Sequence, residues 1–266
     1  MGELTKLNIV MKHIKKKFRY ENCDFFEELK SSKKTSTYNI DGKINRRILK
    51  EKFILLTHNS GKEVLSFPMK FKNDTFLVPI PDYTLMFYNH AYLLKPELVL
   101  TKNNLLQCLG IKSSERTLCE NEIYNYFGYL SSFIFNLYCS LESYVNRCIS
   151  NRCIKISKKV NHFELLEPQR NTSLFDKIKV IFPELYESKN FWAENIQDYQ
   201  CIVDLHKIRD DLAHTKSDNG FIKFSEIDLF QRLVNFNIEG SLIAVRRFIN
   251  HYTPGYLEDC DCGKDF

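Results

Sequence analysis

Glycine and proline are scarce in this chain, at 9 and 7 of 266 residues. Both punctuate strand-and-turn architectures, so their shortage favours long helices over an all-β fold. None of the nine cysteines forms a C-x-x-C pair, which removes the commonest zinc and thiol-redox spacings. There is no G-K-[ST] phosphate loop and no H-E-x-x-H pair, so neither a P-loop nor a zincin signature is present. The acidic residues are scattered, without the paired carboxylates of a two-metal nuclease. The longest apolar stretch, 129–141, is broken by Ser131, Ser132, Asn136 and Ser140; it is too short and too polar to span a bilayer. At the N-terminus Lys12, Lys15, Lys16, Lys17 and Arg19 interrupt any run that could act as a signal peptide. The expectation is a soluble, cytoplasmic protein with no membrane partner.

What is present is a large apolar content, 44% of residues, enough to bury a core in one large domain or two small ones. The net charge of +5 is compatible with a nucleic acid partner and does not demand one. Two basic stretches, Lys12–Arg19 and Arg152–Lys159, could track an RNA backbone but read first as solvated faces. Cys108, Cys119, Cys139, Cys148 and Cys201 alternate with apolar residues and are expected as reduced core thiols. Cys260 and Cys262 lie in the segment Glu258-Asp259-Cys260-Asp261-Cys262-Gly263. Too few further ligands lie nearby in sequence for a metal site, so a flexible tail over 253–266, no metal and no cofactor are expected.

Residues 1–110 differ from the rest. Phe53–Thr57 reads as a strand, Asn59-Ser60-Gly61 as a turn, and Val64–Phe71 as the returning strand. Pro68 in that second strand argues for a sheet edge. Lys72-Asn73-Asp74 is a further turn and Phe76–Ile80 a third strand, so a small antiparallel meander is expected. Short helices are expected over 82–94 and 102–109. This α+β region carries no motif for chemistry.

From about residue 115 the period becomes helical. Ile123, Tyr126, Phe127, Leu130, Phe133, Ile134, Leu137, Leu141, Tyr144, Val145 and Cys148 recur at spacings of three and four, the stripe of a long amphipathic helix. Thr117 and Glu120 fit a capping box at its start. A second helix begins at Thr172 or Ser173 and runs until Pro183. A third covers Ala193 to His214, with Tyr199, Ile202, Leu205, Ile208 and Leu212 toward the core, and stops at Ser217-Asp218-Asn219-Gly220. Ser225 would cap a fourth, with Ile227, Phe230, Leu233 and Leu242 on its apolar side, ending before Pro254-Gly255. The fold class expected is mainly α: a four-to-five-helix bundle over 115–252, behind the α+β region.

The third helix ends in Ile208-Arg209-Asp210-Asp211-Leu212-Ala213-His214. An Arg, a polar residue and a His five positions on, at the end of a helix that follows another long one, resemble the R-x4-6-H motif of HEPN domains. The first long helix adds Glu142 and Asn146 one turn apart, similar to the acidic-then-polar signature on the first long helix of many HEPN-like proteins. A second pair, Arg246 and His251, fits the spacing but not the context, since another Arg and a Phe follow Arg246. The resemblance covers about half the chain.

The resemblance implies a HEPN-like bundle and a metal-independent endoribonuclease. Its substrate would be RNA, its cofactors none, and its state a homodimer whose two motifs line one cleft. An imidazole can move protons near neutral pH, and a guanidinium can hold and neutralise a phosphate. His214 would be the general base or acid, Arg209 the stabiliser of the transition state, and Asp210 the residue that orients them. Glu142, Asn146 and His206 would support the cleft. Five residues rotate by about 140° on an ideal helix, so His214 must leave the regular helix to join Arg209. By analogy the activity would serve growth arrest or antiviral defence, with an antitoxin or regulatory partner. The alternative is a non-catalytic HEPN-like module that dimerises and binds RNA or protein.

Overall fold

In the computed structural model the described residues are 13–21, 26–31, 35–39, 53–110, 119–157, 172–186, 191–214 and 224–262. The chain divides into two compact units, Lys16–Met86 and Met1–Lys15 with Phe87–Phe266. It is mainly helical, with one small sheet.

The smaller unit holds α1 (Phe26–Ser31) and strands β1 (Thr35–Asn39), β2 (Phe53–Thr57), β3 (Glu63–Phe71) and β4 (Asp74–Pro79). β2, β3 and β4 form the expected antiparallel meander, and β1 adds to it parallel to β2. Gly61 supplies the positive φ of +79° that the β2–β3 turn needs. β2 reads as an unbroken apolar run because both its faces are covered. Leu55 packs with Phe26 and Leu65, whereas Ile54 and Leu56 face the other way, toward Leu77. Pro68 does not mark an edge strand, because β3 lies between β2 and β4. Leu65 bonds Tyr20 and Ile80 on the β4 side, so Pro68, three positions on, turns its missing N–H toward β2. The β2 pairs end at Ser66, so no ladder bond there is lost.

The larger unit contains most of α2 (Tyr83–Gly110). This is one helix and not the two short ones expected; it continues through Pro96. α3 (Glu120–Ser157) buries Tyr126, Leu130, Phe133, Ile134, Leu137, Leu141, Tyr144, Val145 and Cys148, as the stripe requires. Each fully buried apolar side chain contributes about 1.5–3 kcal/mol. The capping-box residue Thr117 lies outside the described residues. Cys108 and Cys119 are joined in a disulfide between α2 and the start of α3, and so are not the thiols expected from their apolar neighbours.

α4 (Leu174–Asp176) is capped by Ser173, whose Oγ accepts from the Asp176 N–H at 3.1 Å. It does not stop at Pro183. A π-helical turn, Lys177–Ile181, carries the chain into α5 (Phe182–Leu185); a widened turn and a proline without an N–H occur together. α6 (Phe191–Glu194) leads into α7 (Ile196–Ala213), which packs on α3 and α9 (Ile238–Tyr252). The stop signal Ser217–Gly220 lies outside the described residues. The expected fourth helix is two: α8 (Phe224–Val234) and α9, separated at 235–237. Asn237 caps α9 by accepting from the Gly240 N–H at 2.9 Å. Phe182, Phe191, Phe248 and Tyr252 form an aromatic core, with ring centroids 5.0–5.6 Å apart for Phe182–Tyr252, Phe191–Phe248 and Phe182–Phe248.

The residues after α9 do not form a loose tail as far as Cys262. Asn250 bonds both the N–H and the carbonyl of Leu257, at 2.8 and 3.0 Å. Arg246 holds Asp259 at 3.0 Å. Among the described residues, no helix is long and apolar enough to cross a membrane.

Candidate functional site

Helical spacing separates two faces of α7. Ile202, Leu205 and Ile208 are buried, while His206, Arg209 and Asp210, at i, i+3 and i+4, share one stripe. Asp210 joins the other two: Arg209 Nη1 donates to Oδ1 at 2.7 Å, and His206 Nε2 lies 3.4 Å from Oδ2. The stripe meets Tyr138 of α3. The Arg209 guanidinium lies 4.3 Å from the centre of the Tyr138 ring, a cation–π contact. The His206 ring stacks on the same tyrosine, with centroids 5.7 Å apart and planes 13° from parallel. Phe175 also packs on His206, with ring centroids 4.8 Å apart and planes tilted by 45°. Among the described residues the buried His206 Nδ1 has no hydrogen-bond partner.

Tyr138, Glu142 and Asn146 follow at i, i+4 and i+8 on α3, so they line one stripe. Asn146 Oδ1 accepts from Lys177 Nζ at 2.9 Å. Glu142 acts on this cluster through its charge. Burial pushes the Tyr138 hydroxyl up to about 12, and Glu142 adds to the rise. Burial also raises the Cys139 thiol, with Glu142 again adding. The Lys177 ammonium is lowered by burial, partly offset by Glu142. For Arg209, burial opposes the charge; the Asp210 hydrogen bond, with Tyr138, Asp210 and Glu142 nearby, outweighs it and holds the guanidinium above its ordinary value. Arg209 is therefore a fixed, half-buried cation. Among the described residues only one of its N–H donors has a hydrogen-bond partner.

His214 stands apart. It is the residue after α7, where its N–H still bonds the Asp210 carbonyl at 2.9 Å, and it is exposed. Its ring makes no hydrogen bond or ring contact among the described residues. The structure thus joins Arg209, Asp210 and His206, and brings Glu142 and Asn146 alongside, but does not join His214 to Arg209 within one chain. The second motif is occupied structurally: Arg246 binds Asp259, and His251 packs against Phe191 and Tyr252 at 5.4 and 4.8 Å.

Tyr138, Phe175 and Lys177 were missed in the sequence. Tyr138 carried a usable signal, one turn before Glu142 on the α3 stripe. Lys177 carried none, because a lysine in a short helix reads as surface. The opposite side of α7 borders a groove of about 940 Å³ with α8 and α9, lined by Asp198, Asp204, Lys207, Asp228, Arg232 and Arg247 among others. Its arginines are taken: Arg232 binds Asp211 and Asp228 at 2.7 and 2.8 Å, and Arg247 lies 3.4 Å from Asp198. The side chains of Arg152–Lys159 lie outside the described residues. Comparison with protein-family models, curated proteins and solved structures finds no match to this chain.

Proposed function

We propose that this chain is a HEPN-type endoribonuclease that cleaves RNA without a metal, working as a homodimer. The observation that carries the reading is Arg209, pinned through one N–H by Asp210 and stacked on Tyr138, its other donors having no hydrogen-bond partner among the described residues and being suited to a phosphate. An exposed histidine at the end of the same helix supplies the second requirement. In this reading the RNA 2′-hydroxyl attacks the adjacent phosphorus and the 5′-oxygen leaves, giving a 2′,3′-cyclic phosphate and a 5′-hydroxyl. His214 moves the proton, and Arg209 neutralises the charge that develops on phosphorus. Asp210 positions Arg209, His206 braces Asp210 from the far side, and Glu142 and Asn146 support the cleft. Because His214 does not meet Arg209 within one chain, the reading takes the second histidine from a second copy. Growth arrest or defence, under an antitoxin or regulatory protein, is the biological use that belongs to it.

That same separation favours one other reading, a non-catalytic HEPN-like module that dimerises and binds RNA or protein. RNA cleavage in excess EDTA decides between the two, with the chelated protein's melting curve checked in parallel. Wild type should cut RNA to cyclic-phosphate ends and leave DNA intact. His214→Ala should lose about 10²–10⁴-fold and Arg209→Ala about 10²–10³-fold, with helicity unchanged. A folded dimer that binds RNA through Arg209 but cuts none would establish the binding module instead.

A further inference from the structure

We propose that His13, Cys260 and Cys262 form a binding site for a thiophilic divalent cation, zinc(II), that ties the two ends of the described chain together. Their ligand atoms, one imidazole nitrogen and two Sγ, all lie within 4.8 Å of one another. Cys262 Sγ is 3.5 Å from His13 Nε2. Typical Zn–S and Zn–N bonds set at a tetrahedral angle put sulfur and nitrogen about 3.6 Å apart, so that edge is already at its bound length. Small side-chain rotations bring the remaining atoms in. Two thiolates and an imidazole suit zinc over magnesium or calcium, which take oxygen ligands. Two thiolates also neutralise the ion's charge.

The backbone builds the site. The Lys15 N–H donates to the Glu258 carbonyl at 2.8 Å, and the Cys260 N–H to the His13 carbonyl at 2.7 Å. Ile14 and Asp259 pair as an antiparallel bridge between them. The Ile14 N–H is anchored on Asn89 of α2 at 2.9 Å, and Asp259 on Arg246 of α9. His13 is 3% exposed, so a buried residue stands against the two-cysteine segment Cys260-Asp261-Cys262, whose Cys260 N–H is bonded to it. The third ligand comes from 247 residues before Cys260, which is why local spacing gave no sign of it. With three protein ligands the fourth position is left for water. The ion would close a loop of nearly the whole chain, where a cross-link removes most entropy from the unfolded state.

The test is titration of the reduced full-length protein with cobalt(II) and then zinc(II). One equivalent of cobalt should give tetrahedral d–d bands and sulfur-to-metal charge transfer, which zinc displaces. Zinc at about 100 times its Kd should raise the melting temperature by roughly 5–10 °C. Cys262→Ser should weaken binding about 100-fold or more and abolish the thermal gain. Cys262 is exposed, so that variant keeps its fold, which its unliganded melting curve verifies. Absence of charge-transfer bands in the wild type would overturn the site. So would binding that survives Cys260→Ser with Cys262→Ser, since the ligands would then be other cysteines.

Discussion

Lys177 shows how a single residue changes meaning when its surroundings are known. It is 3% exposed and donates to Asn146, one turn of α3 from Glu142. Burial lowers its pKa, so in the window below about 10.4 the unfolded chain holds a proton more tightly than the folded one. Stability from this group is therefore missing at neutral pH and is recovered as pH rises through that window. We expect the melting temperature of wild type minus that of Lys177→Met to increase in favour of wild type as the pH is raised toward 10.4. A flat difference across pH would contradict the burial of a charged amine. Arg209 is the counter-case. The role proposed for it, a phosphate-facing cation, was read from its type and its place before Asp210. The tyrosine under it was not, because only the packing of α7 on α3 puts position 138 beneath position 209.

At the scale of elements the period was readable and so was the cap Ser173; breaks were missed, and Ser225, the expected cap of the fourth helix, lies inside α8. The stripe on α3 is strong because nine of its apolar positions are buried together. The join between α8 and α9 was missed, although Leu233 and Leu242, nine residues apart, fall about 180° from each other on one ideal helix and so do not share a face. What divides them is Asn237, a residue as ordinary inside a loop as at a cap. Its side chain accepts from Gly240, and a methyl group at Gly240 would collide with the Asn237 amide. Asn237→Ala and Gly240→Ala should each cost about 1 kcal/mol by loss of the same cap, and the double variant little more than either alone. Chemical denaturation of the three proteins checks this cycle; full additivity would mean that the two residues act separately. Pro68 and Pro183 make the same point in reverse. Pro68 reads in sequence as an edge marker and Pro183 as a terminator, and both are tolerated where a ladder bond or helix bond is not required of them.

For the whole molecule, tyrosine burial sets an alkaline limit. Tyr126 and Tyr138 are raised to about 12 by burial, and Tyr88 and Tyr144 are raised further by the same cause. Their stabilising effect is complete below the ordinary tyrosine pKa of about 10 and is lost as pH rises through the folded values. Melting temperature should therefore fall between pH 10 and 12, with the phenolate absorbance of these four buried tyrosines, beyond that of exposed ones such as Tyr124, appearing only as the chain unfolds; ionisation of all 14 tyrosines in a still-folded chain would contradict it. The mainly helical class, the meander of β2, β3 and β4 and the long face of α3 were determined by sequence alone, because periods of two and 3.6 act over neighbouring residues. So was the choice of Arg209 over Arg246 as the arginine to test. Only the tertiary structure decided that the His206 ring, and not the His214 ring, meets the Asp210 carboxylate, that Cys108 pairs with Cys119, and that His13 reaches Cys260 and Cys262. Each of these depends on which distant segments pack together, and that is set by the summed burial of the whole core rather than by any local pattern.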